Sequence, residues 1–108
     1  MQLMIETSRV SFTVGREVQP RNDQNGVQRT DKETRLPMWT VQLVAVDARG
    51  AEVINVTYVG QTPPKVAPGQ PVTPIELQAI PWAQNGKNGT AFRASEFKTV
   101  TASASAKA

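Results

Sequence analysis

The residues able to do chemistry gather in "PWAQNGKNGTAFR", residues 81–93, where Trp82, Lys87, Phe92 and Arg93 flank a turn with two Asn-Gly pairs. Flat side chains beside cations are what a single nucleic-acid strand requires. Cations follow the phosphates while aromatic faces receive the bases, each stacked base contributing about 1–3 kcal/mol. With the turn centred on Lys87, Trp82 faces Phe92 across the hairpin; with a loop from Gly86 to Gly89, it faces Arg93. Either register pairs the indole with an aromatic or cationic partner.

Catalytic chemistry finds little here. The 108 residues contain no Cys and no His, which removes Ser-His and Cys-His nucleophiles, thiolate metal sites and any disulfide framework. The nine acidic residues form no suggestive pair. The chain therefore reads as a binding protein without a cofactor, not as an enzyme. Twelve Lys and Arg against nine Asp and Glu give a net charge of +3, a mild excess suited to a polyanion. The start "MQLMIETSRV" lacks a basic leader region, and no apolar run approaches membrane-spanning length. A cytoplasmic protein with no membrane partner is expected.

A second set of cations lies in "QPRNDQNGVQRTDKETRLP", residues 19–37, which holds Arg21, Arg29, Lys32 and Arg35 beside Asp23, Asp31 and Glu33. With only Val27 and Leu36 as bulky apolar groups, the segment cannot bury itself. It reads as a solvated or functional loop, or as a β-ribbon with Asn25-Gly26 at its tip.

Five stretches carry strand chemistry, and none sustains helical apolar spacing behind a cap. The first runs from about Val10 to Val18, with Val10, Phe12 and Val14 alternating with Ser11 and Thr13 before Gly15 permits a bulge. "MWTVQLVAVD" and "AEVINVTYV" form a hairpin. Pairing Ala48 with Ala51 places Leu43 opposite Val56 and Val41 opposite Tyr58, giving one apolar face that ends at Trp39. Thr40, Gln42, Asn55 and Thr57 occupy the other face. The connector "GQTPPKVAPGQP", residues 60–71, has too many prolines for a central strand and presents Lys65. A fourth strand, about Val72 to Ala83, sets Ile75, Leu77 and Ala79 against Glu76, Gln78, Ile80 and Trp82; a fifth runs from about Thr90 to Val100. Residues 101–108, "TASASAKA", read as a disordered tail, leaving one domain over residues 1–100.

Phe12, Trp39 and Phe97 read as core, whereas Trp82 shares its strand phase with polar residues and fits either a platform or the core. Phe92 follows Trp82 if the two are paired. Tyr58, on the apolar face, is a lesser candidate.

Five strands with a long loop after the first and hairpins between strands two and three and between strands four and five match the order of an OB-like β-barrel with no clear helix. An immunoglobulin-like sandwich would need about seven strands. "KVAPGQPVTPIELQAIPWAQNGKNGTAFRASEFK" resembles the second half of small OB-fold single-stranded DNA-binding proteins of phages and plasmids, the filamentous-phage gene V type in particular. It is also similar to short proteins of actinobacterial mobile elements, through a Trp, an Asn-Gly and "AFRA" near the end. The likeness extends over about residues 60–98. It implies a homodimer that coats single-stranded DNA or RNA with little sequence preference. With one Tyr in the chain, stacking would pass to Trp and Phe. The alternative is a small β-barrel interaction or structural module of a phage or plasmid system that binds protein.

Overall fold

A computed structural model describes residues 3–5 and 8–100, so the expected tail at 101–108 lies outside the described residues. The chain is all-β, with no helix among the described residues. Its strands are β1 (Leu3–Met4), β2 (Ser11–Val14), β3 (Gln19–Pro20), β4 (Met38–Asp47), β5 (Gly50–Val59), β6 (Pro71–Ile75), β7 (Gln78–Gln84), β8 (Lys87–Arg93) and β9 (Glu96–Thr99). Eight follow the path β1-β7-β8-β5-β4-β2-β6-β9, and β3 lies off it on β4. The sheet is mixed, because β5 runs parallel to β8 through Val56↔Phe92 and Thr57↔Arg93 while the other pairs are antiparallel. It is not closed: β1 and β9, at the two ends of the path, do not pair with each other. A simple five-stranded barrel is thus not what the hydrogen-bonded ladders draw.

The core is apolar and continuous, built from Phe12 and Val14 of β2, Val41 and Leu43 of β4, Ile54 and Val56 of β5, Val72 of β6, and Leu77 and Ala94. Period-two alternation supplies it, as each strand turns every second side chain inward. Between β2 and β3 the strand is interrupted at Gly15–Val18, where the sequence permits a bulge. Gly15 allows close approach there: a methyl group on it would come within 2.7 Å of the Gln42 Oε1.

The β4–β5 hairpin keeps the expected faces in a register two residues away from the expected one. Asp47 pairs with Gly50, so Leu43 meets Ile54 and Val41 meets Val56. The turn, again of two residues, is held by the Asp47 carboxylate, which accepts the Arg49 N–H at 2.8 Å, and by Gly50 at a φ of 136°. Because the shift is even, no side chain changes face.

Strands β6 to β9 form one hairpin with a corner in it. Val72 pairs with Thr99 and Ile75 with Glu96 in the first half, then Gln78 with Arg93 and Gln84 with Lys87 in the second, all in one register. Only Glu76, Leu77, Ala94 and Ser95 interrupt the ladder. The expected continuous strand with Ile75, Leu77 and Ala79 on one face is corrected here. Val72 and Pro74 point inward before the corner, and Leu77 does after it. Glu76 makes the change of phase, at a φ of 54° in the left-handed region. The hairpin thereby lays its first half beside β2 and its second half beside β5.

Candidate nucleic-acid interface

The turn between β7 and β8 is Asn85-Gly86, with φ of 54° and 78°, the two successive positive values of a type I′ hairpin turn. That choice overrules both expected registers. Trp82 faces Gly89, not Phe92 or Arg93. The indole lies across this glycine, since a methyl group there would come within 2.7 Å of Trp82 Cζ2. Trp82 retains 46% of its surface in solvent.

Pairing also sorts the faces of the ribbon. Gln78, Ile80, Trp82 and Gln84 share one face with their partners Arg93, Ala91, Gly89 and Lys87. Trp82, Lys87 and Arg93 are therefore brought together on one side, whereas Phe92, opposite Ala79, turns to the other side and packs on the core. Phe92 is a correction: the structure gives it a packing role.

The long loop is ordered by local hydrogen bonds. Its first part is a ribbon in which the Arg29 N–H donates to the Arg21 carbonyl, the Arg21 N–H donates to the Met38 carbonyl, and Asn22 bridges Gln28. Gly26, at a φ of 81°, forms the expected tip with Asn25. Its second part is a turn organised by Asp31, whose carboxylate accepts the Thr34 N–H and Thr34 hydroxyl, both at 3.0 Å. The same carboxylate meets the Arg93 guanidinium at 3.6 Å, pinning the loop to the ribbon. The Thr34 hydrogen bonds hold the Asp31 carboxyl below its ordinary value, partly opposed by desolvation and aided by the nearby Arg93 charge.

Arg29, Lys32 and Arg35 are exposed on this loop and Arg21 is half-buried at its base; among the described residues none of the four forms an ion pair. Between the Asp31 turn and the ribbon lies a groove of about 300 Å³ lined by Thr34, Leu36, Gln78, Arg93 and Ser95, with Glu76 at its side. Two candidates stand apart from this surface. Tyr58 belongs to the row of Val56 and Ile54, with its ring 6.0 Å from that of Phe97 and lying across Gly60. Lys65 is exposed in the connector, where it forms no ion pair among the described residues. Trp39 donates its indole N–H to the Gly60 carbonyl at 2.9 Å, anchoring that connector.

Sequence reasoning treated Asp31 only as a charge that offsets the loop cations. The available signal was Thr34 three residues later, the spacing at which an Asp carboxylate receives both groups of a threonine. Gly89 was missed because it was read as part of a turn. No group of metal-ligating side chains occurs among the described residues.

Comparison with protein-family models, with curated proteins and with solved structures finds no match to this chain. The site is therefore read from its own geometry.

Proposed function

We propose that this protein binds single-stranded nucleic acid with little sequence preference, using Trp82 as a stacking surface and the cations around it as phosphate contacts. The observation that carries the reading is the exposed indole across Gly89, on the same ribbon face as Lys87 and Arg93. An aromatic face with solvent above it and cations on both sides suits any base, because every base has a π-face. The loop that Asp31 pins to Arg93 carries three further exposed cations, Arg29, Lys32 and Arg35.

An OB-like order of five segments supports the same reading. Counting β2 with β3, β4, β5, β6 with β7, and β8 with β9 as five strands, the first pairs with the second and fourth, and the third lies parallel to the fifth. In that arrangement the loop after the first strand and the hairpin between the last two flank the ligand surface. These are the Asp31 loop and the Trp82 ribbon.

The homodimer belongs to this proposal. β6 lies between β2 and β9, so β9 ends the sheet on that side. Among the described residues no strand pairs with the outer edge of β9. Two-fold antiparallel pairing centred on Phe97 would set Glu96 opposite Lys98 of the second copy, an opposite-charge pair at each side of the axis. Among the described residues no helix is long and apolar enough to cross a membrane, and we assign the protein a cytoplasmic role on single strands.

The test is titration of the protein with oligo-dT at several salt concentrations, followed by tryptophan emission. Quenching with an affinity that falls as salt rises is the expected result. Absence of binding at low salt would reject this function and leave a protein-binding module.

A further inference from the structure

β5 and β8 are neighbours for only two residue pairs, Val56↔Phe92 and Thr57↔Arg93. Both strands nevertheless extend well beyond this point, β5 through Gly50–Asn55 and β8 through Lys87–Ala91. They diverge. Among the described residues, each is left with one strand edge on which alternate backbone N–H and C=O groups have no ladder partner. Beside this part of β5 lies a cavity of about 420 Å³, lined by Ile54 of β5 and Phe92 of β8 together with Ile5, Val10, Phe12 and Leu77, with Ala45 on its floor.

Two carboxylates and one guanidinium, Asp47, Glu52 and Arg49, stand at the entrance. Asp47 and Glu52 continue the inward rows of β4 and β5 beyond Ala45 and Ile54, and both line the cavity. Asp47 is engaged by Arg49 at 3.8 Å, whereas Glu52 forms no ion pair among the described residues. An apolar floor, free backbone edges beside it and a carboxylate at the opening call for one kind of ligand. A small apolar molecule would use the floor and leave the edges open. A polypeptide strand would use all three.

We infer that the split between β5 and β8 binds an extended peptide segment of a partner protein, which places a bulky apolar side chain in the cavity and a Lys or Arg two residues away beside Glu52. The two-residue offset follows from strand geometry, in which side chains i and i+2 share a face. Backbone hydrogen bonds to a strand edge supply affinity, and the pocket for an alternate side chain supplies specificity. The site is separate from the Trp82 face, because Phe92, which lines it, points away from that face.

The probe is a blocked, fluorescein-labelled heptapeptide of threonines with Phe at its fourth position and Lys at its sixth, followed by anisotropy. Controls replace the Phe with Ser or the Lys with Glu. Saturable binding that the Ser control loses is expected. Ala45→Leu, which fills the floor, should weaken binding about tenfold in a protein shown by circular dichroism to be folded. Glu52→Lys, at an exposed position, should weaken the Lys peptide and strengthen the Glu peptide. Amide exchange within residues 50–55 or 87–91 should slow on binding.

Failure of the Phe peptide to bind would overturn the proposal, as would equal binding to the Ala45→Leu protein. Binding of 8-anilinonaphthalene-1-sulfonate without peptide binding or edge protection would make the cavity a small-molecule site, which also overturns it. Displacement of the peptide by oligo-dT would put both ligands on one surface and reject a second site. The first three outcomes do not depend on whether oligo-dT binds at Trp82.

Discussion

The Trp82 indole and the Gly89 backbone are stacked across the β7–β8 ribbon, so the absence of a side chain at Gly89 is what allows the ring to lie over the partner strand. Ring orientation and ligand binding are linked through this one position. Gly89→Ala should lift the indole, because its new methyl would stand 2.7 Å from Cζ2, closer than carbon atoms tolerate. Oligo-dT affinity should fall several-fold with the melting temperature nearly unchanged. Equal quenching in Gly89→Ala and wild-type protein would show that the ring's position is immaterial.

Trp82→Ala removes the platform altogether. Loss of one stacked base corresponds to a drop in affinity of about 5- to 150-fold. The fold should survive, since this side chain stands outside the core cluster. Trp39, whose indole N–H is committed to Gly60, should supply the residual emission and respond little to the oligonucleotide. Unfolding of Trp82→Ala would assign the residue to packing.

Replacing Arg21, Arg29, Lys32 and Arg35 together with Gln tests the loop. Each lost phosphate contact flattens the log-log salt slope by about 0.7 on a single strand. A change of about 0.7–1.4, one to two contacts, is expected, as Arg21 sits half-buried at the ribbon base and Asp23, Asp31 and Glu33 oppose the rest. A slope identical to wild type would remove the loop from the interface.

Asp31 makes the loop acid-sensitive. Its carboxyl is held below the usual carboxylate value in the folded chain, chiefly by the Thr34 N–H and then by the Thr34 hydroxyl. A group depressed in this way contributes stability that is present above the unfolded-state pKa and lost as pH falls through the lower folded value. Carboxyl carbon chemical shifts measured between neutral pH and strong acid should place that titration. Thr34→Val should raise the Asp31 value more than Arg93→Gln does, because the hydroxyl bond outweighs the guanidinium charge. The opposite ranking would make the ion pair the dominant anchor.

The corner at Glu76 gives a stability test with two directions. A non-glycine residue in the left-handed region costs about 1–2 kcal/mol, offset partly by glycine's greater unfolded-state freedom. Glu76→Gly should therefore stabilise by about 0.5–1 kcal/mol in urea unfolding. Leu77→Ala, one residue on and 2% exposed, should cost about 2–5 kcal/mol. Destabilisation by Glu76→Gly would mean that the carboxylate itself supports the corner.

Strand positions were legible because alternation and proline punctuation are local signals. "MWTVQLVAVD" is β4 residue for residue, and the Asn25-Gly26 tip occurs where its dipeptide points. Registers were harder, because they are settled by distant partners. Local chemistry permits both expected turns of the ribbon, one centred on Lys87 and one from Gly86 to Gly89, and neither is the turn that forms. The pairing of Val72 with Thr99 and Pro74 with Phe97, at the far end of the same hairpin, selects Asn85-Gly86. Phe92 was misjudged for the same reason, since its face depends on which residue lies opposite. The phase change at Glu76 left no trace in composition, because a charged residue in a left-handed conformation has no sequence signature.

The unbroken register through the corner separates the length of the β7–β8 arm from the integrity of the core. Adding one residue to each strand beside Asn85-Gly86 would rotate the tip to the other face, while adding two to each would restore the face and carry the tip outward by about 7 Å. Residues behind the corner would keep their partners in either case. The arm can thus serve as an adjustable ruler, lengthened in fixed steps along a bound strand without reworking the interior that supports it.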